Sequence, residues 1–425
     1  MSRLHPPRRF PLRVPATDIR LSALVAALCL VFGSLSANGG EWTQWRGPQR
    51  DGQVPTLPES LSNLTLAWSV DLPPSYSGPV ADGERIYTTA TEGKSTEVVV
   101  AYNRGDGSEA WRASWPGAMS VPFFAAANGS WIRATPALAD GRLFVAGMRD
   151  VLVCLNAASG EELWRKDFTS ALSTDVPMFG NVCSPLVVGD LVVVQSANSV
   201  VALDVASGDV RWRSLNETES AGRSEGAFSS PLLDEDAPGG PQLLVQTRST
   251  LAGLEPKTGR VLWQTPVEAF RGMNILTPLP RTVGDELQVF TSSYGGGSSL
   301  FVVRGDEVTT KWTNRAEAYM ASPVSVGDRL IVPLKNQRTT ALDWETGETI
   351  WRSTPYGKYW SMLTDGTQVV ALDQKGQLYR LDVSGKTMEI LEEREVSPSE
   401  TWAYLGWDGS QLMIRRLDGL DVYTP

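Results

Sequence analysis

One short pattern recurs along this 425-residue chain and limits the folds open to it. In each copy an apolar run leads to an acidic or amide residue and then to a turn that closes on glycine, and a tryptophan follows four residues later. The clearest copies start at Asp204 and Asp343. The tryptophans, each with its turn glycine where the turn is intact, are Trp111 (Gly107), Trp164 (Gly160), Trp212 (Gly208), Trp263 (Gly259), Trp312 and Trp351 (Gly347).

A second mark, a small residue followed by proline, precedes each of these copies. Between the two marks lie short β-branched runs separated by Gly-Asp or Asp-Gly turns, so each unit is predicted to form four antiparallel strands. The six pairs are Gly78-Pro79, Thr135-Pro136, Ser184-Pro185, Ser230-Pro231, Thr277-Pro278 and Ser322-Pro323.

The chemistry of both marks suits the blade of a β-propeller. Asp204 can accept hydrogen bonds from the backbone amides ahead of it and Gly208 can supply a positive φ, which predicts a tight turn between the third and fourth strands. Trp212 would then lie on the fourth strand, where its ring can pack between neighbouring sheets. Pro185 would start the first strand, which tolerates a missing N–H because it is the inner edge along the axial channel.

Two weaker units complete the count. Residues 359–393 continue the pattern with Leu391 in place of tryptophan, and residues 402–423 supply only three strands. The missing strand is predicted at residues 64–70, which contain Trp68. Because a ring of repeats must close without an unpaired edge, we predict an all-β, eight-bladed β-propeller of four-stranded antiparallel blades, with the last blade closed by the N-terminal strand. Seven blades is the competing count.

The first segment has the three-part layout of a secretory signal peptide. Five arginines accompany an uncharged run at 21–35, and small residues follow at 36–40. The run falls short of the roughly 18 to 20 residues that span a bilayer, although retention as an anchor is the alternative. We predict a signal peptide at 1–37, a lead-in strap at 38–60 and a propeller at 61–425, in a protein exported to the periplasm or beyond.

Charge and rare residue types exclude several functions. Cleavage after residue 37 would remove five arginines and one aspartate and move the formal charge from −10 to −14, which disfavours nucleic acid as a partner. It would also remove His5, the single histidine, and with it Ser-His-Asp triads, histidine-ligated zinc and covalent haem. Cys154 and Cys183 lie in strand-like runs, so a disulfide between them is permitted but not implied.

In its repeat the chain resembles the pyrroloquinoline-quinone-repeat propellers, a family that includes quinoprotein alcohol dehydrogenases and the BamB lipoprotein of the outer-membrane assembly machinery. Residues 42–52 look like the lead-in of many secreted propellers of this type, and we interpret them as an ordered strap packed under the ring. A quinoprotein dehydrogenase would be expected to have adjacent cysteines against its cofactor, and this chain has none. We therefore expect no cofactor and no metal, with pyrroloquinoline quinone and calcium as the alternative.

Propellers usually recognise partners on one face, at the mouth of the axial channel. The leading hypothesis is a non-enzymatic binding or assembly module of the cell envelope that binds envelope proteins or a small ligand. The alternatives are a divergent quinoprotein oxidoreductase that binds pyrroloquinoline quinone at the channel mouth, and a carbohydrate-binding or carbohydrate-processing propeller. The candidate channel-mouth residues are Arg133, Asn181, Glu225, Asn274, Tyr319, Trp360 and Trp402.

The longest insertion between blades is a further candidate contact. It spans residues 114–130 and contains Phe123 and Phe124. Exposed aromatic side chains there would contact a partner or cover the ring.

Overall fold

The computed structural model of the chain describes Met1 and residues 40–196, 198–216 and 227–425. Within those residues, eight four-stranded antiparallel sheets are arranged as the eight blades of a β-propeller, which confirms the predicted fold and blade number. Residues 40–425 lie in one compact unit, Gly39–Pro425. The predicted signal peptide, apart from Met1, lies outside the described residues, and no described helix is long and apolar enough to cross a bilayer.

Strand β1 (Thr65–Asp71) comes first in the chain but belongs to the last blade. Blades 1 to 4 then follow in chain order. Blade 1 contains β2 (Val80–Ala81), β3 (Arg85–Glu92), β4 (Thr96–Asn103) and β5 (Glu109–Pro116); blade 2 contains β6 (Ala137–Ala139), β7 (Arg142–Gly147), β8 (Val151–Asn156) and β9 (Glu162–Asp167); blade 3 contains β10 (Leu186–Val188), β11 (Leu191–Ser196), β12 (Ser199–Asp204) and β13 (Val210–Ser214); blade 4 contains β14 (Leu232–Asp234), β15 (Gln242–Gln246), β16 (Thr250–Leu254) and β17 (Val261–Pro266).

Blades 5 to 8 continue in the same order. Blade 5 contains β18 (Leu279–Val283), β19 (Glu286–Ser293), β20 (Gly297–Arg304) and β21 (Glu307–Asn314); blade 6 contains β22 (Val324–Val326), β23 (Arg329–Pro333), β24 (Thr339–Asp343) and β25 (Thr349–Arg352); blade 7 contains β26 (Ser361–Thr364), β27 (Gln368–Leu372), β28 (Gln377–Asp382) and β29 (Glu389–Glu395); blade 8 contains β30 (Gly406–Trp407), β31 (Leu412–Arg416), β32 (Gly419–Thr424) and β1. Helix α1 (Phe168–Leu172) and two 3₁₀ turns, Phe123–Asn128 and Phe270–Gly272, lie in loops that join consecutive blades.

The repeat tryptophans bind neighbouring blades to each other. Trp164 of blade 2 donates its indole N–H to the Val205 carbonyl in the blade 3 turn, at 3.0 Å. Its ring lies against Gly208 of that turn, where an added Cβ would be 2.6 Å from the indole carbon Cε3. The glycine of one unit therefore receives the tryptophan of the preceding blade. The same glycine contact joins Trp68 to Gly107, Trp111 to Gly160, Trp212 to Gly259 and Trp312 to Gly347.

Trp351 of blade 6 and Trp263 of blade 4 do not make this glycine contact, and for Trp263 the environment explains why. The turn of blade 5 is degenerate, and Gly305 there has no atom within 4 Å of an added Cβ. Trp263 instead donates its N–H to the Gln242 side chain of its own blade, at 2.7 Å. Because blade 5 lacks the intact turn, Trp263 forms its hydrogen bond within its own blade instead of with the next one.

The N-terminal strand closes the ring by pairing β1 with β32, from Thr65 opposite Thr424 to Asp71 opposite Gly419. In blade 7 the prediction that Leu391 replaces the tryptophan is wrong by one residue. Glu392 pairs with Arg380 at the position where tryptophan stands in other blades, while Leu391 lies in the adjoining bulge and is 44% exposed.

Glu392 supports this closure through hydrogen bonds rather than through an aromatic contact. Its carboxylate accepts hydrogen bonds from the Ser60 hydroxyl at 2.7 Å and the Leu61 amide at 2.9 Å. Arg394 on the same strand donates to the Leu61 carbonyl at 2.7 Å. The chain just before β1 is therefore held by charged side chains of blade 7.

The lead-in strap crosses the axial channel instead of only lying under the ring. Arg46 and Arg50 are each 1% exposed. The Arg50 guanidinium donates to the carbonyls of Ser184 and Pro185, both at 2.8 Å, where the inner strand of blade 3 begins. Arg46 donates to the Pro323 carbonyl in blade 6. These bonds place two buried cations in the channel and close it below the cavity described next.

Candidate functional site

The small residues that precede the prolines form a belt of hydroxyl groups around the channel. The Thr135 amide donates to the Ser184 hydroxyl at 3.0 Å, and the Ser184 amide donates to the Ser230 hydroxyl at 2.9 Å. The Thr277 amide donates to the Ser322 hydroxyl at 3.3 Å. A short side chain is required here because it must reach an adjacent blade beside the channel. We call Thr135, Ser184, Ser230 and Ser322 the hydroxyl belt.

A cavity of about 490 Å³ opens on the face of the ring where the loops between blades converge. All four residues of the hydroxyl belt line it, together with Trp45 of the strap. The Trp45 ring meets the Tyr404 ring edge-to-face at 5.1 Å, and the Arg46 guanidinium lies 5.4 Å from the Trp45 ring centre on the strap. The cavity therefore ends on an aromatic floor that the buried arginines support.

Aromatic rings follow one another around the cavity mouth. Tyr359 stacks on Trp402 at 3.9 Å between ring centres, with 14° between the planes, and Tyr76 follows at 4.6 Å from Trp402. The gap between Phe228 and Phe270 contains Arg248, whose guanidinium lies 5.7 Å from the Phe228 ring centre. We call the whole set the aromatic collar: Phe124, Phe179, Phe228, Phe270, Tyr294, Tyr319, Tyr359, Trp402 and Tyr76.

Among the described residues that line the cavity, the charged groups are all cationic. Arg133, Arg248 and Arg271 line it, and its described lining residues include no aspartate or glutamate. Arg133 donates to the backbone carbonyls of Gly129 and Trp131, and no described carboxylate forms an ion pair with it. Burial lowers the pKa of Arg133 to about 10, which still leaves the guanidinium charged at neutral pH.

The backbone is strained beside the cavity. Arg271 (φ 53°), Met320 (φ 50°) and Tyr359 (φ 54°) adopt the left-handed region without being glycine, as do Arg46 and Arg50 in the strap. Such conformations cost roughly 1–3 kcal/mol each and tend to cluster at functional sites. Of the eleven described non-glycine residues with positive φ, these five lie in the strap or beside the cavity.

The family relationship follows from the sequence along most of the ring. The profile of the family described as outer membrane protein assembly factor BamB matches residues 95–353 and 320–416. The chain belongs to this family. Among curated BamB proteins it is 23% identical to that of Shewanella oneidensis over 68% of this chain and 70% of the relative, and 23% identical to that of Moranella endobia over 68% and 79%.

Solved structures agree on the fold of this BamB family member. BamB from Moraxella catarrhalis superposes with a TM-score of 0.60 at 18% identity, over 85% of this chain and 98% of that one. A europium-containing methanol dehydrogenase gives 0.64 at 14% identity, over 91% and 98%. The quinohemoprotein alcohol dehydrogenase of Comamonas testosteroni gives 0.65 at 14% identity, over 92% and 81%.

The seven channel-mouth residues predicted from the sequence do not all line the cavity. Arg133, Tyr319 and Trp402 line the cavity. Asn181 and Asn274 are buried in the loops instead, where their side-chain amides bind Asp150 at 2.9 Å and the Arg248 carbonyl at 2.8 Å.

Trp360 and Glu225 complete that set. Trp360 is 2% exposed and stacks on Tyr379 at 5.6 Å inside the blades, while its neighbour Tyr359 reaches the aromatic collar. Glu225 lies outside the described residues. The interpretation of the strap as purely structural also missed Trp45, and the hydroxyl belt was visible in the sequence only as an unexplained small residue before proline.

A quinone with calcium was the alternative cofactor expected from the sequence of this BamB family member. In the described part of the chain no group of three or more His, Cys, Asp or Glu side chains is placed to hold an ion. Cys154 and Cys183 are both free and buried. Glycoside hydrolysis by two carboxylates finds no pair among the described lining residues either.

Proposed function

We propose that this protein is an exported, non-enzymatic binding module of the cell envelope that takes part in the assembly of outer membrane proteins. In this proposal it contacts a protein of the assembly machinery with the face on which the cavity opens. Membership of the BamB family supports the process, and the make-up of that face supports the binding role. The periplasm is the compartment in which such a contact would occur.

Exposed phenyl rings on this face carry the proposal. Phe123 is 90% exposed, Phe124 62% and Phe270 49%, and the last two line the mouth of the cavity. Phe123 and Phe124 belong to a 3₁₀ turn with no buried residue. Exposed aromatic side chains supply much of the binding energy when a partner desolvates them, and they are costly to leave in water otherwise.

Site-specific photo-crosslinking in the native host tests the contact. A photoreactive phenylalanine derivative replaces Phe123 in one strain and Val283 in another; Val283 is 45% exposed and ends β18, at the hairpin on the opposite face. We expect irradiation to give a discrete adduct with a subunit of the outer-membrane assembly machinery from position 123 alone, identified by mass spectrometry. No adduct at position 123, or the same adducts from both positions, would overturn the proposal.

A further inference from the structure

The lower part of the cavity offers hydrogen-bond donors but few acceptors. In the hydroxyl belt, the oxygens of Thr135, Ser184 and Ser322 each accept a backbone N–H from a neighbouring blade. No described acceptor takes their hydroxyl hydrogens. Tyr404 is in the same state, since its hydroxyl oxygen accepts the Ser322 amide at 2.8 Å. A ligand group that meets these hydroxyls would therefore be an acceptor.

Buried cations lie around these donors. Arg46 and Arg50 below the floor donate to backbone carbonyls and form no direct ion pair with a described carboxylate. The charge of Asp51 lies close enough to Arg46 to act on its pKa, whereas no described carboxylate does so for Arg50. Arg133 at the side of the cavity also donates to backbone carbonyls and forms no ion pair with a described carboxylate. Burial lowers the pKa of Arg50 to about 10, so it stays charged at neutral pH. Arg50 and Arg133 are therefore buried charges with no counter-ion among the described residues, which is costly, and an anion bound beside them would remove part of that cost.

The upper part of the cavity is mainly aromatic, with Arg248 and Arg271 beside its rings. The aromatic collar surrounds it, and Met178, Met273 and Met320 also line the cavity. Thioether and aromatic groups adapt to flat apolar bodies. The volume of about 490 Å³ lies within the range of about 300–1,000 Å³ that is typical of small-molecule sites.

We propose that this cavity binds an organic anion of small-molecule size, with the anionic oxygens against the hydroxyl belt and Arg133 and the flat apolar body within the aromatic collar. Such a ligand meets donors and cations at one end and rings at the other, and binding requires no metal ion. The positive cavity in a chain of net charge −10 would also attract the ligand from solution, because field lines concentrate in a cleft. This site goes beyond the protein contact at Phe123.

Calorimetric titration of the purified protein with 2-naphthoate and with 2-naphthamide tests the proposal. The two probes share a ring system and differ in the anionic group. We expect one site for 2-naphthoate and at least tenfold weaker binding of the amide. Equal affinity for the two probes, or no saturable binding of either, would overturn the proposal, and this comparison does not depend on any variant folding.

A pair of variants locates the site. Arg133→Gln removes a cation of the cavity, whereas Arg304→Gln removes one on the outside of blade 5, where Arg304 pairs with Glu286. We expect at least a tenfold loss of 2-naphthoate affinity in the first variant and none in the second, with 2-naphthamide binding unchanged in both. Unchanged naphthoate affinity in a folded Arg133→Gln protein would contradict the proposal. Since crosslinking at Phe123 reads a different contact, either proposal can fail without the other.

Discussion

The indole ring of Trp111 in blade 1 packs against the α-carbon of Gly160 in blade 2. An added Cβ on Gly160 would lie 2.5 Å from the Trp111 carbon Cε3, and the indole N–H donates to the nearby Ala157 carbonyl at 2.9 Å. The glycine and the tryptophan of the first mark therefore act between blades: the glycine leaves space for a tryptophan that belongs to the preceding unit.

Gly160→Ala should destabilise the ring more than the same change at Gly141. Both glycines lie in blade 2 with similar positive φ values, 75° and 70°, but nothing lies within 4 Å of a Cβ at Gly141. Backbone strain alone should cost about 1 kcal/mol at either position. Overlap with the indole should add about 1–3 kcal/mol at Gly160. Chemical denaturation measures both; equal losses would mean that the tryptophan contact contributes nothing.

Glu392→Gln should weaken ring closure. The carboxylate accepts bonds from Ser60 and Leu61, and we expect the loss of its charge to reduce the free energy of unfolding by roughly 1 kcal/mol at pH 7. Glu389→Gln is the matched control, because Glu389 is exposed on the same strand and has no hydrogen bond among the described side chains.

The same pair of variants has a pH signature. Burial opposes ionisation of Glu392, but the bonds from Ser60, Ser62 and Leu61 outweigh it and lower its pKa. A lowered pKa contributes stability above the unfolded value of about 4.3, and that contribution is lost as the pH falls through the folded value. The wild-type protein should therefore lose more stability than Glu392→Gln between neutral pH and about pH 3. Parallel curves for the two proteins would refute this assignment.

Cys154 and Cys183 should resist modification in the folded protein. Both are fully buried and unpaired, and burial raises their pKa values to about 12 and about 11. Only the thiolate reacts, so alkylation at pH 8 should be at least about 100-fold slower in native protein than in denaturant. Peptide mass spectrometry measures the labelling of each thiol; rapid native labelling or a disulfide-linked peptide would contradict the structure.

The repeat made the fold predictable, since each mark specifies a local turn or strand edge and eight such units must close a ring. The register in blade 7 was not predictable from the sequence, because Leu391 matches the apolar character of tryptophan. The bulge places Glu392, and not Leu391, at the position that tryptophan occupies in other blades. At the channel mouth, Trp360 and Tyr359 are equally aromatic in sequence. The positive φ of Tyr359 turns the Tyr359 ring toward the aromatic collar and leaves the Trp360 ring in the core.

The strap was underestimated for a related reason. Arg46 and Arg50 bind backbone carbonyls far away in sequence, and no local sequence pattern predicts such partners. The phenyl rings at positions 123 and 124 were visible as an aromatic pair, but their exposure depends on how the insertion lies over the ring.

Outer-membrane protein assembly in the native host tests the central claim most directly. A strain that carries Phe123→Ser together with Phe124→Ser is compared with a Val283→Ser strain and with a strain lacking the gene, and the amount of folded outer membrane β-barrel protein is measured by its heat-dependent gel shift. With equal protein levels, we predict that the double variant resembles the strain lacking the gene and that Val283→Ser resembles the wild type. Normal assembly in the double variant, or an equal defect in both variants, would contradict the claim that this protein acts through the face carrying the cavity.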